Sequence, residues 1–221
     1  MRLLFVSHSL PPENRPLANV GGMQRVALKL HESLEEKAAS PNALDYDALL
    51  LRSAWRTLHA KVPFFLAKAG WNIGRAARND AVDVVLFSSM VTASLAVPLR
   101  GLLRRHGVKT AAIVHGLDVT TPFPPYQWFV PKVFDALDAV LPVSRATQQA
   151  CLDRGARPSQ LQVVHNGIDV DRFQSPRDRE ADRAALERST GLPTPPAPPN
   201  GLLLCSVGRQ VERKGTAWFV D

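Results

Sequence analysis

Short, continuous apolar runs alternate with stretches of helical periodicity, and this alternation constrains the chain more than any other feature. The runs are Leu3-Leu4-Phe5-Val6, Asp47 to Leu51, Val82 to Phe87, Thr110 to Val114, Ala139 to Val143 and Leu161 to Val164. They are β-branched and often continuous rather than alternating apolar and polar, as expected of strands buried on both faces of a parallel sheet. Between the runs, Met23, Val26, Ala27, Leu30 and Leu34 share one helical face. Leu95, Leu99, Leu102 and Leu103 do the same within Val91 to His106, where Pro98 must kink or start the helix. A short helix from Arg145 to Arg154 is expected to stop at Gly155. Strand alternating with helix predicts an α/β fold built on a doubly wound, Rossmann-like parallel sheet over residues 1–170.

The second part of the chain differs in character. Residues 171–200 read as a charged and Pro-rich linker: Glu180 to Thr190 suits an exposed helix stopped by Gly191, and Pro193 to Pro199 suits neither a helix interior nor a central strand. Leu202 to Val207 then reads as a new strand and Thr216 as a helix barely begun. Residues 201–221 are therefore expected to be the truncated start of a second domain, and the sequence a piece of a longer protein.

With 45% hydrophobic residues, the 221-residue chain has the material for a substantial core. Its net charge of +7 favours anionic partners, whether phosphates, acidic lipids or nucleic acid. No nucleic-acid-binding motif accompanies that charge, so nucleic acid is not an expected partner. Cys151 and Cys205 lack metal-ligand spacing and read as reduced thiols, which points to the cytoplasm. No His/Cys/Asp cluster has the spacing of a metal site. The apolar part of Met1 to Val6 is too short for a signal peptide and reads as a first strand. No run reaches the ~20 apolar residues of a membrane span.

In an open parallel sheet, ligands bind beyond the carboxyl ends of the strands. The residues expected there are Ser7-His8, Ser88-Ser89, His115-Gly116, Ser144-Arg145 and His165-Asn166-Gly167. Gly21 and Gly22 precede the first helix, where small residues and free N–H groups favour a close anion; a plain glycine hinge is the alternative. They are not a dinucleotide-binding fingerprint, because no third glycine follows at the required place. Arg209 and Lys214, after the last apolar run, suit a diphosphate, although a solvated basic turn would look the same.

Several segments occur together in one order: Val-Gly-Gly-Met-Gln-Arg-Val-Ala-Leu (20–28), Ile-Val-His-Gly-Leu-Asp (113–118), Val-Leu-Pro-Val-Ser (140–144), Val-Val-His-Asn-Gly-Ile-Asp-Val-Asp-Arg-Phe (163–173) and Ser-Val-Gly-Arg-Gln-Val-Glu-Arg-Lys-Gly (206–215). The pattern resembles the retaining glycosyltransferases of family 4, which have the GT-B fold. The resemblance covers nearly the whole chain, least securely residues 40–80. It implies an N-terminal acceptor-side domain and a C-terminal nucleotide-sugar-binding domain, and work in cell-envelope or polysaccharide biosynthesis. Gly21 and Gly22 would lie near the donor diphosphate and acceptor, and His115 would contact the donor sugar as the catalytic-site histidine. Arg209 and Lys214 would bind the diphosphate, and Asn166-Gly167 would shape the cleft. The reaction implied is sugar transfer with retention at the anomeric carbon, with the nucleotide-sugar as substrate and neither a cofactor nor an essential metal. The acceptor would be a sugar or a lipid-linked sugar. The family's Glu-x7-Glu motif would lie past Asp221, so these residues alone are expected to be inactive or nearly so.

Residues 52–79 contain Arg52, Arg56, Lys61, Lys68, Arg75 and Arg78, interleaved with Trp55, Phe64, Phe65 and Trp71, and no acid. A peripheral contact with the cytoplasmic face of a membrane is one reading of this stretch. An ordinary pair of helices, each with one buried and one solvated face, is the other. Two rival functions also remain open: a dinucleotide-binding module of the NAD type, and a non-catalytic Rossmann-type ligand-binding module.

Overall fold

A computed structural model describes residues 1–19, 21–40, 44–168, 170–171, 178–191, 215 and 218. Five of the six apolar runs become strands: β1 (Arg2–Leu10), β2 (Asp45–Arg52), β3 (Val84–Phe87), β4 (Lys109–Val114) and β5 (Ala139–Pro142). They form one all-parallel sheet in the order β2-β1-β3-β4-β5. The sixth run does not form a strand. Leu161 bridges Val140, and Gln162 and Val164 donate backbone N–H groups to Val140 and Pro142 at 3.0 Å each, after which the chain is irregular.

Eight helices connect or follow these strands among the described residues: α1 (Gly22–Ala38), α2 (Trp55–Arg78), α3 (Met90–Ala93), α4 (Ala96–Arg105), α5 (Gly116–Thr120), α6 (Pro124–Ala136), α7 (Arg145–Leu152) and α8 (Arg179–Thr190). The β1-α1-β2 crossover runs one way along the sheet and β2-α2-β3 runs back. With right-handed crossovers, α1 and α2 therefore cover opposite faces, so the sheet is doubly wound and Rossmann-like. The expected helix over 91–106 is two helices. Pro98 sits in the first turn of α4, where its missing N–H has no intrahelical partner to lose. Within residues 52–79, for which a pair of helices is one of the two readings, Trp55–Arg78 form one continuous helix that carries Pro63 inside it. Helix α6 opens with Pro124 and Pro125 in its first turn.

Burial follows the strand order. Interior strand β1 is buried from Leu3 to Leu10, whereas edge strand β2 is only half-buried. The core gathers Val6, Val85, Phe87, Val114 and Val140 from the strands with Ile73, Met90, Val119, Phe134 and Cys151 from the helices. At the amino edge Arg2 is tied to Asp83: its backbone N–H donates to Oδ2 at 2.7 Å and its guanidinium reaches Oδ1 at 2.5 Å. The Arg2 guanidinium holds the Asp83 carboxyl down at about 2.

The chain divides into two units, Met1–Gly167 and Ile168–Asp221. The first holds the sheet. The described part of the second is chiefly α8, capped by Asp178 Oδ1, which accepts from Glu180 and Ala181 N–H at 2.9 and 3.2 Å. It ends at Gly191 with φ +66°, the left-handed stop expected from the sequence. The Pro-rich run, the last apolar run, Cys205, Arg209 and Lys214 lie outside the described residues.

Phe87 is fully buried on β3, between β1 and β4. Phe87→Ala is expected to lower the unfolding free energy of the chain by roughly 3–5 kcal/mol, read as a lower urea midpoint at unchanged slope. A loss below about 1 kcal/mol would place the core elsewhere.

Candidate functional site

The strand order reverses between β1 and β3, because β1 is followed leftward by β2 and β3 lies on its other side. Ligands of such sheets bind in the crevice that opens at this switch, beyond the strands' carboxyl ends. Here that edge carries a buried polar cluster. Ser7, His8 and Ser9 lie in the last part of β1, not beyond it as the sequence suggested. Pairing with β2 shifts between Ser7↔Leu50 and Leu10↔Arg52, so β1 carries one extra residue at His8–Ser9. This is a β-bulge, a device that re-aims side chains at strand ends.

Hydrogen bonds satisfy the cluster across the switch. Ser88 Oγ donates to Ser7 Oγ at 3.0 Å, and His8 Nδ1 shares a 3.3 Å hydrogen bond with Ser89 Oγ. Ser9 Oγ accepts from Gln24 Nε2 at 3.0 Å and from Asn19 Nδ2 at 3.3 Å, while Asn19 also donates to the Ser53 carbonyl at 3.0 Å. Gln24, Asn19 and Ser53 were not among the candidates read from the sequence. Gln24 stands three residues past the N-cap, a spacing that could have marked it. Burial pushes the His8 imidazole down to about 4, so it is neutral at physiological pH.

Gly21 is the N-cap of α1 and Gly22 its first residue. Gly21 has extended backbone (φ −164°), so its lack of a side chain is not needed for conformation. It is needed for space, since a Cβ there would come within 2.3 Å of Gln24 Oε1, whereas a Cβ on Gly22 would meet nothing within 4 Å. No side chain caps this helix and no acid lies in its first turn, which leaves its leading N–H groups open to an external acceptor.

His115 follows β4 and is the N-cap of α5. Its Nε2 is enclosed and has no hydrogen-bond partner among the described residues. Buried polar atoms in that state call for an explanation, and a ligand is one. Asp118 Oδ2 accepts the His115 N–H at 3.3 Å and the Met90 N–H at 3.4 Å, which ties α5 to the start of α3. Burial raises the Asp118 carboxyl above its ordinary value, against the lowering effects of the His115 imidazole and these two N–H groups. The Gly21–Gly22 helix start, the His8–Ser89 pair and His115 thus share one edge of the sheet. Asn166 and Gly167 are exposed in the irregular segment after Leu161. Ser144 has a capping role, its Oγ accepting from Thr147 N–H at 3.1 Å. Among the described residues no group of His, Cys, Asp and Glu could hold a metal ion. A cavity of about 340 Å³ lies at the opposite, amino edge, among Arg2, Asp45, Asp47, Asn72, Arg75 and Asn79, away from all of these groups.

The sequence model of Glycosyltransferase Family 4 matches residues 20–172. The chain belongs to glycosyltransferase family 4. Crystal structures of Anabaena HepE are similar in fold. The complex with UDP-glucose has a TM-score of 0.53 at 17% identity, and the complex with UDP has 0.52 at 15%; each match covers 86% of this chain and 50% of HepE. The chain thus spans about half the length of HepE. No curated protein sequence matches it significantly. The family span contains Gly21, Gly22, His8's partner Ser89, His115 and Asn166. The Rossmann-like sheet agrees with the GT-B architecture implied by the motifs.

His8 takes up a proton below pH 6.5 in the unfolded chain, but only near pH 4 in the folded one. The unfolded state therefore binds more protons in that interval. Stability is whole above pH 6.5 and falls as the pH drops towards 4, by roughly 3 kcal/mol in all. His8→Gln is expected to flatten this segment of the stability curve in urea titrations at stepped pH. An unchanged slope would assign the acid sensitivity to other groups.

Proposed function

We propose that this family 4 chain supplies the acceptor side of an enzyme that transfers a sugar from a nucleotide-sugar to a sugar or lipid-linked acceptor, with retention of anomeric configuration. The observation that carries this reading is the enclosed Nε2 of His115, unpartnered among the described residues, at the carboxyl edge of the sheet and inside the family span. An imidazole N–H there can donate to a donor-sugar hydroxyl or to charge that develops as the glycosidic bond to the diphosphate breaks. The open N–H groups of α1 and the small Gly21–Gly22 start suit an anionic diphosphate nearby.

Arg209 and Lys214 are proposed to neutralise the leaving diphosphate, the part a metal ion plays in other transferases. In that case no essential metal or cofactor is required, and chelators should leave transfer unchanged. Asn166-Gly167 would shape the cleft. HepE was crystallised with UDP-glucose, so UDP-sugars are the first donors to try. The residues described here hold the acceptor-side groups, and the 221-residue chain alone is expected to show little or no transfer. The buried Cys151 thiol, pushed up to about 11 by burial, suits a reducing cytoplasmic setting.

The test uses the protein together with a donor-binding domain, a panel of nucleotide-sugars and lipid and sugar acceptors, and NMR of the product's anomeric proton. Transfer with retention is expected, and His115→Ala should reduce it by roughly a hundredfold or more with an unchanged melting temperature. Inverted product would overturn the retaining assignment. Full activity in His115→Ala would remove the histidine from the site.

A further inference from the structure

Helix α2 buries one side in the core through Leu58, Ala69, Ile73 and Ala77. Its opposite side should then be polar, but it is not. Phe64 is 79% exposed and Trp71 71% exposed. They are seven residues apart, hence on one stripe about 10 Å long, and Ile73 lies about 180° around the helix from Phe64. Beside this stripe runs a second row at the same spacing, Lys61, Lys68 and Arg75, all exposed. None of these three has an ion-pair partner among the described residues. No Asp or Glu occurs between Asp47 and Asp80. The solvent face of α2 is therefore an aromatic row flanked by a cationic row on one continuous helix.

We propose that this face docks on an anionic lipid bilayer, with Phe64 and Trp71 entering the interfacial layer and Lys61, Lys68 and Arg75 lying against the headgroup phosphates. An interfacial helix combines these two features: apolar area to bury and basic charge for anionic lipid. Single-stranded nucleic acid would instead need a concave basic groove lined with stacking platforms, and α2 presents a convex rod. The structure also narrows the basic stretch of residues 52–79. Arg52 belongs to β2 and pairs with Glu13 at 3.3 Å, Phe65 packs on the core, and Trp55 meets His59 edge-on at 5.4 Å. No described helix is long and apolar enough to cross a membrane, so the contact is a surface one. Helix α2 begins at the carboxyl edge of the sheet, where Trp55 N–H bonds to the Ala18 carbonyl at 3.1 Å.

The test needs neither donor nor acceptor, so it stands or falls apart from the transferase reading. The full chain is sedimented with vesicles of phosphatidylcholine plus phosphatidylglycerol and with vesicles of phosphatidylcholine alone. The wild type is expected to partition onto the anionic vesicles and to be released by salt. Phe64→Ser/Trp71→Ser and Lys61→Gln/Lys68→Gln, both at exposed positions and checked by melting temperature, should each weaken partition by roughly tenfold or more. The proposal is overturned if the wild type stays in the supernatant with anionic vesicles, or if both variants partition like the wild type. It is also overturned if the face instead mediates self-association or RNA retention without vesicle binding.

Discussion

The interior strand β1 is buried from Leu3 to Leu10, yet its last part carries three polar residues. Leu3 to Val6 satisfy burial simply by being apolar. Ser7, His8 and Ser9 do not, and each buried polar group without a partner costs free energy on the scale of a lost hydrogen bond. The cost is offset because Ser88 and Ser89 follow β3 alongside, and because Asn19 and Gln24 fold over the same edge. The bulge at His8–Ser9 is part of this arrangement. Those two residues find partners in different elements, His8 towards β3 and Ser9 towards the loop before α1 and α1 itself.

The candidate site is the outer extension of that network. Hydrogen bonds run from Gln24 on α1 to Ser9, cross from His8 to Ser89, and continue from the start of α3 through Asp118 to His115. Adjacent positions on this path hold a helix start with unclaimed N–H groups and an imidazole nitrogen with no partner among the described residues. The network is otherwise well satisfied, so these two open positions are where a ligand would complete it. At the opposite, amino edge the Arg2–Asp83 pair ties β1 to the start of β3.

Helix α2 meets a different demand. Its inner side follows the same rule as the other helices, and its outer side breaks the rule by exposing Phe64 and Trp71. Scattered exposed apolar residues are ordinary, but a spaced aromatic pair beside a matching basic row is organised, and organised exposure points to a surface that is covered in use.

The sequence by itself determined the fold class, the parallel character of the sheet, the helix stops at Gly155 and Gly191, and the family. Each of these is written in local patterns: β-branched and often continuous runs, 3.6-residue periodicity, left-handed glycines (φ +89° and +66°), and ordered motifs. It also marked Gly21, Gly22 and His115 as candidates. Only the tertiary structure decided that Leu161–Val164 would bridge β5 without becoming a strand, that Pro63 would sit inside one continuous helix, and that Asp118, Gln24 and Asn19 would join the site. Those outcomes depend on which neighbours are in place to accept or donate a hydrogen bond and to bury a side chain. Such partners lie many residues away along the chain, so a local pattern carries no record of them.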